Sequence, residues 1–399
     1  MWQSVKNIYH LFVAILANVW YGFPSRKLTV IGVTGTDGKT TTVHLIYHIL
    51  KTANKKVSII SSIGAVIPST SSGQVAHHDI GFHVTTPSPF ALQLFLRKAA
   101  EVDLAYRPRR SSAFDLRGRF GENYLVLEVT SHAIDQYRVW GVDFKVAVLT
   151  NVTREHLDYH KTYENYVATK AKLLQKARVA VVNKDDESYD VVNSKFKIQN
   201  SKLHVKSKKF VSYGMELNAD VNPKLFPFTT RLQGEFNRYN ILAAIAVCRA
   251  LGVYDSAIRK AIASFELPIG RMEIVHEGKF TVTIDFAHTP NALEQILKTV
   301  RPNVEGRLIH VFGSAGKRDY QKRPEMGRVS AKYADVIVLT AEDPRSESVE
   351  KIIDEIMAGI KDKGLRIKDG RLLRIANRQE AIKMAIKMAR NGVLVLLTV

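Results

Sequence analysis

The stretch Leu28–Lys51, LTVIGVTGTDGKTTTVHLIYHILK, carries the strongest structural signal in this chain of 399 residues. Its first part, Leu28–Val33, is mostly apolar and β-branched, which is typical of a strand buried on both faces. A polar loop with two glycines follows, and from Thr42 the apolar residues recur at helical spacing. Strand, glycine loop and helix in this order predict a phosphate-binding loop, because backbone N–H groups and a helix N-terminus attract an anion.

The loop also supplies the side chains that bind a nucleotide. Lys39 adds a full positive charge, and the Thr40 hydroxyl can ligate Mg²⁺. The usual spacing of such loops is not met, because position 33 is Val rather than Gly, and an ordinary glycine-rich turn is the alternative. Gly-Lys-Thr-Thr directly behind a buried strand favours ATP. The predicted ATP-binding residues of the loop are Gly35, Thr36, Asp37, Gly38, Lys39, Thr40 and Thr41.

Composition places the chain among ordinary globular proteins with an unusual charge. Hydrophobic residues make up 46% and charged residues 24%, and alternating strand and helix patterns predict an α/β class. The single Cys248 excludes an intrachain disulfide, favours core packing over a nucleophile and indicates a cytoplasmic protein. The net charge of +20 is suited to anionic substrates or to a cytoplasm of high ionic strength. The alternative is binding to a nucleic acid or to a membrane surface. Since no nucleic-acid motif accompanies the scattered lysines, we predict no nucleic-acid partner.

Residues 8–23, IYHLFVAILANVWYGF, form the most apolar stretch of the chain. They are too few to span a bilayer, which takes about 20 residues, and they lack the cleavage site of a signal peptide. We therefore predict a helix that is docked on the domain or lies on a membrane surface, without stable membrane insertion.

The segment Thr34–Thr41 resembles the phosphate loop of the Mur ligase family, the ATP-dependent ligases that build the peptidoglycan stem peptide. The family usually has Asn in place of Asp37, and folylpolyglutamate synthases, which are similar, typically follow the lysine with Gly-Ser. The resemblance recurs from about residue 28 to 397. It implies a central P-loop ATPase domain with a mostly parallel sheet at 26–267 and a C-terminal Rossmann-like domain at 268–399, which follow the apolar helix predicted for 1–25 from its own composition.

Two motifs of the central region resemble substrate and metal sites of the family. Val84–Pro87 is similar to a substrate loop, and Glu128–His132 is similar to Glu-x-Ser-Ser-His, whose Glu binds Mg²⁺. Glu128 ends a predicted strand, where open α/β sheets place ligands, although a salt-bridged strand end is the alternative. The substrate contacts implied here are Thr85, Thr86, Thr130, Ser131, Gln136 and Arg138.

Thr153–His160 resembles a motif of the branch that adds the third stem residue, in which the first histidine, here His156, ligates a second Mg²⁺. Lys170 matches the lysine that the family carbamylates with CO₂, while the spacing of Lys172 does not match. Carbamylation turns a cation into an anionic oxygen ligand for Mg²⁺, and a plain helix-surface lysine is the alternative. With Lys39 and Glu128, these two residues form the predicted catalytic set.

The rest of the chain predicts a sheet domain after a polar excursion. Residues 101–122 look like a solvated insertion and 183–233 like a small antiparallel excursion. Strands are predicted at 281–285, 308–312, 335–340 and 393–398, separated by helices at 291–300, 325–333, 349–360 and 378–390. Pro268–Glu273 resembles the family's hinge. The resemblance implies ATP contacts at Asn237, Asn240, Arg271, Asp285, His288 and Asn291.

Two loops of this last region resemble those that meet the incoming amino acid. Gly313–Asp319, with Lys322–Pro324, is similar to a basic loop that faces phosphate and substrate, with Arg318 as a contact. Glu342, Asp343 and Arg345 stand at the motif that selects the amino acid, where the family has Asn in place of Asp343. In the family an Arg at the position of Arg345 pairs with the distal carboxylate of meso-diaminopimelate, so the resemblance implies this amino acid rather than L-lysine, which lacks that carboxylate.

The resemblance implies that ATP phosphorylates the carboxylate of UDP-N-acetylmuramoyl-L-alanyl-D-glutamate and that a free amino acid then displaces the phosphate. We expect Mg²⁺ as cofactor, a UDP-muramyl-peptide and an amino acid as partners, and a monomer. The uridine-binding domain and the C-terminal Gly-Lys-Gly-His-Glu segment of the family are not found in this sequence. Two alternatives follow: a related ligase for a glutamyl chain or a lipid-linked precursor, and a weakened homologue that serves as a binding subunit.

Overall fold

The computed structural model describes residues 2–68, 75–78, 85–102, 123–194, 208–361 and 371–399. The chain forms two compact units. The first comprises Met1–Val152, Tyr163–Arg231 and Asn237–Glu266, and the second comprises Thr153–Thr162, Leu232–Phe236 and Leu267–Val399.

Eight strands form the sheet of the first unit, in the order β4-β3-β2-β5-β1-β6-β7-β8. The pairs β2–β3 and β3–β4 are antiparallel, and the other neighbours are parallel. The strands are β1 Thr29–Thr34, β2 Lys56–Ile60, β3 Ala65–Pro68, β4 Val75–His78, β5 Asn123–Glu128, β6 Phe144–Leu149, β7 Val179–Asn183 and β8 Lys209–Tyr213.

Helices cover this sheet because its central strands are apolar on both faces. In β1 every residue after Thr29 is buried, and all six residues of β5 are buried. The α-helices described up to residue 264 include α1 Trp2–Tyr21, α2 Lys39–Thr52, α3 Pro89–Glu101, α4 Ser131–Asp135, α5 Leu157–His160, α6 Tyr163–Lys176, α7 Glu235–Ala250 and α8 Asp255–Ser264, of which α5 belongs to the second unit. Cys248 is fully buried in α7, which agrees with a packing role, and burial raises the pKa of its thiol.

The second unit contains a sheet in the order β13-β12-β11-β14-β10-β9, parallel except for the pair β9–β10. Its strands are β9 Glu273–Glu277, β10 Thr281–Asp285, β11 Leu308–Phe312, β12 Val336–Leu339, β13 Leu372–Arg374 and β14 Leu394–Thr398. Its helices, besides α5, are α9 Pro290–Val300, α10 Lys322–Tyr333, α11 Val349–Lys361 and α12 Arg378–Met388.

These elements confirm the α/β class with a mostly parallel first sheet and a Rossmann-like second one. The expectation of an antiparallel excursion within 183–233 is wrong, because β8 pairs with β7 in parallel. The solvated insertion predicted at 101–122 lies largely outside the described residues. The apolar stretch at 8–23 does form a helix, α1. Within the described ranges, no helix has both the length and the apolarity needed to cross a membrane.

Candidate active site

The predicted phosphate loop connects β1 to α2 at the carboxyl edge of the first sheet. Gly38 caps α2 with a φ of 78°, a conformation that favours glycine. A Cβ at this position would lie 2.3 Å from Asn240 Oδ1, so the close approach of α7 also requires glycine. The loop therefore opens a helix N-terminus whose free N–H groups can bind an anion.

Residues at the end of β6 hold the loop from one side. Thr150 Oγ1 donates to the Asp37 carbonyl at 2.7 Å, and Asn151 Nδ2 donates to the same carbonyl at 3.1 Å. The Asp37 N–H in turn donates to Asn151 Oδ1 at 3.0 Å. These contacts fix the loop backbone, and the sequence analysis missed both residues because their partners lie more than a hundred positions away.

The other side of the loop meets the end of β5, because Val33 and Glu128 are register partners. Thr40 Oγ1 lies 3.2 and 3.1 Å from the two carboxylate oxygens of Glu128, which is buried. The Ser62 N–H donates to Glu128 Oε2 at 3.0 Å, and the Ser62 and Thr40 hydroxyls are 3.0 Å apart. The structure thus brings the predicted hydroxyl and carboxylate ligands of Mg²⁺ into contact.

Lysines from two helices reach the same loop. Lys39 Nζ, at the start of α2, donates to the Thr36 carbonyl at 2.7 Å. Lys170, in α6, is 1% exposed, and its Nζ donates to the Gly35 carbonyl at 2.6 Å. The Lys170 ammonium also lies 4.4 Å from the centre of the Tyr166 ring. Lys170 is therefore not a helix-surface lysine. Lys172 is largely exposed, and its Nζ lies 3.7 Å from Asp135 Oδ1.

The predicted substrate loop is tied to the end of β5 by Thr86. Its buried hydroxyl donates to the Glu128 carbonyl at 3.0 Å and accepts from the Thr130 N–H at 3.1 Å. Arg138 Nη1 donates to the Thr86 carbonyl at 3.0 Å, and Arg138 Nη2 donates to Gln136 Oε1 at 2.7 Å. Thr86 has the contacts of a residue that positions this loop. Direct substrate contact by this cluster stays a prediction, also for the half-buried Thr85 and the buried Ser131.

The two asparagines predicted near the nucleotide are buried in α7. Asn240 Nδ2 donates to Asn237 Oδ1 at 3.3 Å, and Thr42 Oγ1 donates to Asn240 Oδ1 at 3.3 Å. Asn240 therefore braces the first turn of α2, in which Thr41 is also buried. Contact of either asparagine with a nucleotide stays a prediction.

His156 belongs to the second unit, unlike Thr40, Glu128 and Lys170. It precedes α5 in a left-handed conformation with φ 57°. Its neighbour Glu155 is buried and accepts from Lys322 Nζ at 2.9 Å, and this Nζ also donates to the His288 carbonyl at 2.8 Å. The Leu157 N–H donates to Asp319 Oδ2 at 3.3 Å. These bonds hold the histidine segment against α10 and the basic loop that precedes it.

The basic loop and the amino-acid motif of the second unit pack directly against each other. The Gly316 N–H donates to the Asp343 carbonyl at 2.8 Å, and a Cβ on Gly316 would lie 2.0 Å from the Pro344 carbonyl oxygen. Arg345 Nε donates to Asp343 Oδ2 at 3.3 Å, and both side chains are exposed. A cleft of about 440 Å³ opens beside them, lined by Lys317, Arg318, Tyr320, Ser346, Glu347, Lys351 and Glu355.

Lys322 and Arg323 differ from the expectation that they face phosphate, because both are buried. Arg323 Nη1 and Nη2 each donate to a carboxylate oxygen of Glu347 at 2.9 Å, and Nη1 also donates to Glu355 at 2.6 Å. The guanidinium, followed by the Lys317 N–H, lowers the pKa of the Glu347 carboxyl to about 2. Arg323 therefore stabilises the basic loop from the buried side, and the exposed cations of the loop are Lys317 and Arg318.

The remaining predicted ATP contacts of the second unit lie around the end of β10. Asp285 accepts from the Met272 and Ala287 N–H groups, each at 2.8 Å, so its carboxylate ties β10 to the hinge. Arg271 lies over the exposed Phe286 ring at 4.8 Å, and His288 meets the same ring edge-on at 5.5 Å. Asn291 lies in the first turn of α9. Their roles in nucleotide binding stay predictions.

Comparisons with known proteins agree with this arrangement. The family model of the Mur ligase middle domain matches residues 33–248, and that of the Mur ligase glutamate ligase domain matches residues 270–398. The chain belongs to the Mur ligase family. The prediction of an ATP-dependent ligase that forms a C–N bond is thereby confirmed.

Two similar proteins and one solved structure are 2,6-diaminopimelate ligases of the same name. A UDP-N-acetylmuramoyl-L-alanyl-D-glutamate–2,6-diaminopimelate ligase of Aquifex aeolicus is 38% identical over 94% of this chain and 73% of its own length. The protein of that name from Geobacillus thermodenitrificans is 35% identical over 96% of this chain and 76% of its own length. A solved structure of such a ligase is 28% identical, with a TM-score of 0.57 over 93% of this chain and 72% of that one.

A more distant solved structure shows how widely the Mur ligase fold is shared. Folylpolyglutamate synthase of Mycobacterium tuberculosis, complexed with ADP and AMPPCP, is 18% identical with a TM-score of 0.66, over 97% of this chain and 92% of that one. At this identity the likeness concerns the fold alone.

Proposed function

We propose that the chain couples ATP cleavage to the addition of meso-diaminopimelate to UDP-N-acetylmuramoyl-L-alanyl-D-glutamate in peptidoglycan synthesis. The observation that carries the proposal is the hydrogen-bond contact of the Thr40 hydroxyl with the Glu128 carboxylate, next to Lys39 in the phosphate loop. The chain is also 38% identical to a UDP-N-acetylmuramoyl-L-alanyl-D-glutamate–2,6-diaminopimelate ligase. The proposal thus combines a phosphate site in the first unit with the acceptor specificity of the relatives.

The phosphate loop is suited to hold the β- and γ-phosphates of ATP. The N-terminus of α2 presents its N–H groups and partial positive charge, and Lys39 adds a full positive charge. The bonds from Thr150 and Asn151 hold the loop in this shape before a ligand arrives. Phosphoryl transfer depends mainly on positioning and charge neutralisation, which is what this loop supplies.

The residues present fit Mg²⁺. The ion prefers hard oxygen ligands and commonly takes one or two carboxylates together with phosphate oxygens, and Thr40 and Glu128 offer a hydroxyl and a carboxylate in contact. No group of three or more His, Cys, Asp or Glu side chains suited to a metal occurs among the described residues. When bound, Mg²⁺ would neutralise charge on the phosphates. Lys170, as a carbamate, is proposed as a further ligand, and His156 is proposed as a ligand of a second Mg²⁺.

The reaction follows from the two substrates. An oxygen of the acid's carboxylate attacks the γ-phosphorus of ATP, the bond to the bridging oxygen breaks, and ADP leaves. The amino group then attacks the acyl phosphate carbon, loses a proton and expels inorganic phosphate, which leaves an amide. Arg138 and the Thr86 loop are proposed to hold the acid, and Arg318 is proposed to meet negative charge on the acceptor side.

The amino acid is proposed from the exposed pair Arg345 and Asp343. The distal centre of meso-diaminopimelate carries a carboxylate and an ammonium group, and a guanidinium beside a carboxylate complements both charges. L-Lysine offers only an ammonium group there, which leaves Arg345 facing a like charge. Glu342 lies next to this pair in the chain and adds a second acid for the ammonium group.

Competition between the two amino acids tests the proposal. Purified protein with ATP, Mg²⁺, UDP-N-acetylmuramoyl-L-alanyl-D-glutamate and equal meso-diaminopimelate and L-lysine should form mainly the diaminopimelate product, identified by mass. Arg345→Ala should reduce this preference about tenfold or more, since it removes one charged contact. Arg374→Ala, which removes an exposed arginine on β13 that pairs with Asp354, is the matched control. Preferential incorporation of lysine, or an unchanged preference in Arg345→Ala, would contradict the assignment.

A further inference from the structure

Helix α1 exposes an apolar face that the fold leaves uncovered. The exposed large apolar side chains of this helix are Ile8, Tyr9, Phe12, Leu16, Val19 and Trp20. At 100° per residue these six positions fall within an arc of about 120° on one side of the helix. Trp20 is 76% exposed and Phe12 is 59% exposed, so solvent reaches both the edge and the centre of this apolar face.

The opposite face of α1 is fixed to the first unit. Ala14, Ala17 and Asn18 are buried, and they lie nearly opposite the centre of the apolar arc. Asn18 Nδ2 donates at 2.8 Å to the Trp140 carbonyl and at 2.8 Å to the Ala14 carbonyl. The helix is therefore held on its side, and its apolar face is presented outward along its length.

The apolar face continues onto α3. The Tyr21 and Phe90 rings meet edge-on with their centres 6.5 Å apart, and Phe90 and Leu94 are both exposed. Monomeric soluble proteins rarely expose contiguous apolar patches beyond a few hundred Å², and larger ones mark protein or membrane contacts. We name the six exposed residues of α1, with Phe90 and Leu94, the α1 face.

The charges around the α1 face are basic. Helix α1 contains no acidic residue, and its one Lys or Arg is Lys6. Arg26 and Lys27 follow the helix with exposed side chains, and α3 adds Arg97, which pairs with Glu101, and Lys98. The whole chain has 58 Lys and Arg residues against 38 Asp and Glu residues, a net charge of +20. A second copy of this chain would bring the same charge, so complementarity favours an anionic partner.

We propose that the α1 face binds the surface of an anionic lipid bilayer, with the helix lying in the interfacial plane. An apolar face with Trp, Phe and Leu, bordered by Lys and Arg, is the pattern of interfacial helices, and anionic headgroups attract such basic borders. The mode of binding is peripheral, because the buried side of α1 stays on the protein. The proposal does not depend on the proposed ligase activity, because it concerns only the α1 face and its charged surroundings.

Vesicle cosedimentation tests the proposal. The purified full chain is mixed with vesicles of phosphatidylglycerol and phosphatidylcholine, or of phosphatidylcholine alone. Binding should be strong to the anionic vesicles, weak to the neutral ones and reduced at high salt, because the charged component is screened. The double variant Phe12→Glu/Trp20→Glu should lower binding to the anionic vesicles about tenfold or more, since it removes apolar contacts and adds repelling charge.

A matched control separates the α1 face from general charge. Tyr254 and Leu217 are 83% and 66% exposed elsewhere on the first unit, so Tyr254→Glu/Leu217→Glu makes the same change in charge and a similar loss of exposed apolar surface. Its binding should stay within about twofold of the parent chain, and both variants should keep the parent ligation rate in lipid-free buffer.

Three results would overturn the proposal. The first is no binding of the parent chain to anionic vesicles. The second is equal binding by both double variants, which would assign the effect to net charge. The third is a dimer in sedimentation equilibrium that Phe12→Glu/Trp20→Glu dissociates while vesicle binding is absent, which would assign the α1 face to a second copy.

Discussion

Two lysines, one in each unit, are almost fully buried but differ in the groups that meet their ammonium. Lys322 is 8% exposed and donates to the Glu155 carboxylate at 2.9 Å and to the His288 carbonyl at 2.8 Å. Lys170 is 1% exposed and donates to the Gly35 carbonyl at 2.6 Å, above the Tyr166 ring. One lysine closes an ion pair with a distant segment, and the other lies against the phosphate loop.

This difference separates a structural lysine from a candidate for chemistry. The carboxylate beside Lys322 offsets the cost of burying its charge, and the pair fixes the segment that carries His156. Lys170 instead donates to the loop where phosphates are proposed to bind, and its carbamylation is a prediction from the family resemblance. Burial alone therefore does not identify a functional lysine. A lysine that is buried beside a proposed ligand site is a candidate for a functional role that mutation can test.

The largest effect is expected at Lys39, a half-buried lysine whose proposed task is charge alone. Lys39→Ala should lower ATP-dependent phosphate release about a thousandfold or more, because the lysine's positive charge no longer stabilises the phosphoryl group during its transfer. The circular dichroism spectrum and melting temperature should stay close to those of the parent, since the side chain is not part of the core. Parent-like phosphate release would refute the ATP site.

Lys322→Met is expected to act on stability. It leaves the Glu155 carboxylate buried without its cation, so the free energy of unfolding should fall by about 3–5 kcal/mol in urea denaturation. The double variant Glu155→Gln/Lys322→Met removes both charges and should recover much of that loss. Losses that simply add in the double variant would show that the pair contributes no mutual interaction.

Lys170→Ala is expected to act on activity. If the carbamate holds Mg²⁺, ligation should fall about a hundredfold, and a small carboxylate in excess should restore part of it. Lys172→Ala, on the same helix but exposed and near Asp135, should stay within about twofold. A crystal grown with Mg²⁺ and bicarbonate should show density beyond Lys170 Nζ. A plain ammonium there, together with an active Lys170→Ala, would show that Lys170 is a structural lysine like Lys322.

The smallest effect concerns pH. The pKa of Glu347 is held at about 2 in the folded chain. The pair with Arg323 therefore stabilises the folded state fully at pH values above the ordinary carboxyl pKa, and this stabilisation is lost as the pH falls toward 2. Glu347→Gln should therefore lower the free energy of unfolding by about 2 kcal/mol at pH 7, and this difference should shrink between about pH 4.5 and pH 2. Exposed Glu350→Gln is the control. A pH-independent difference would exclude the ion pair as its cause.

The sequence could predict the elements that local pattern specifies. The apolar run before Gly35 predicted β1, and regular alternation predicted four strands and four helices of the second unit close to their observed bounds. It could not predict β8, because a polar, lysine-rich segment carries no clear period and its pairing with β7 is tertiary. The strands β9 and β13 were missed because five and three residues are too few to show a clear period.

The site could be predicted where the residues are adjacent in the chain, and not where partners are distant. Lys39 and Thr40 followed from the loop itself. The burial of Lys322 depends on Glu155, 167 positions away, and that of Arg323 on Glu347 and Glu355, so both looked like exposed members of a basic loop. Ser62, which binds Glu128, offered no signal at all, because a serine after a strand is a common turn residue.

Oxygen transfer from the acid to phosphate tests the central claim, ligation through an acyl phosphate, most directly. The acid substrate is labelled with ¹⁸O in both oxygens of its reacting carboxylate and turned over with ATP and meso-diaminopimelate. The account predicts one ¹⁸O in each phosphate released, detected by its ³¹P isotope shift, and the other in the amide product. Unlabelled phosphate would contradict it, because the γ-phosphoryl group would then have gone to water and not to the carboxylate.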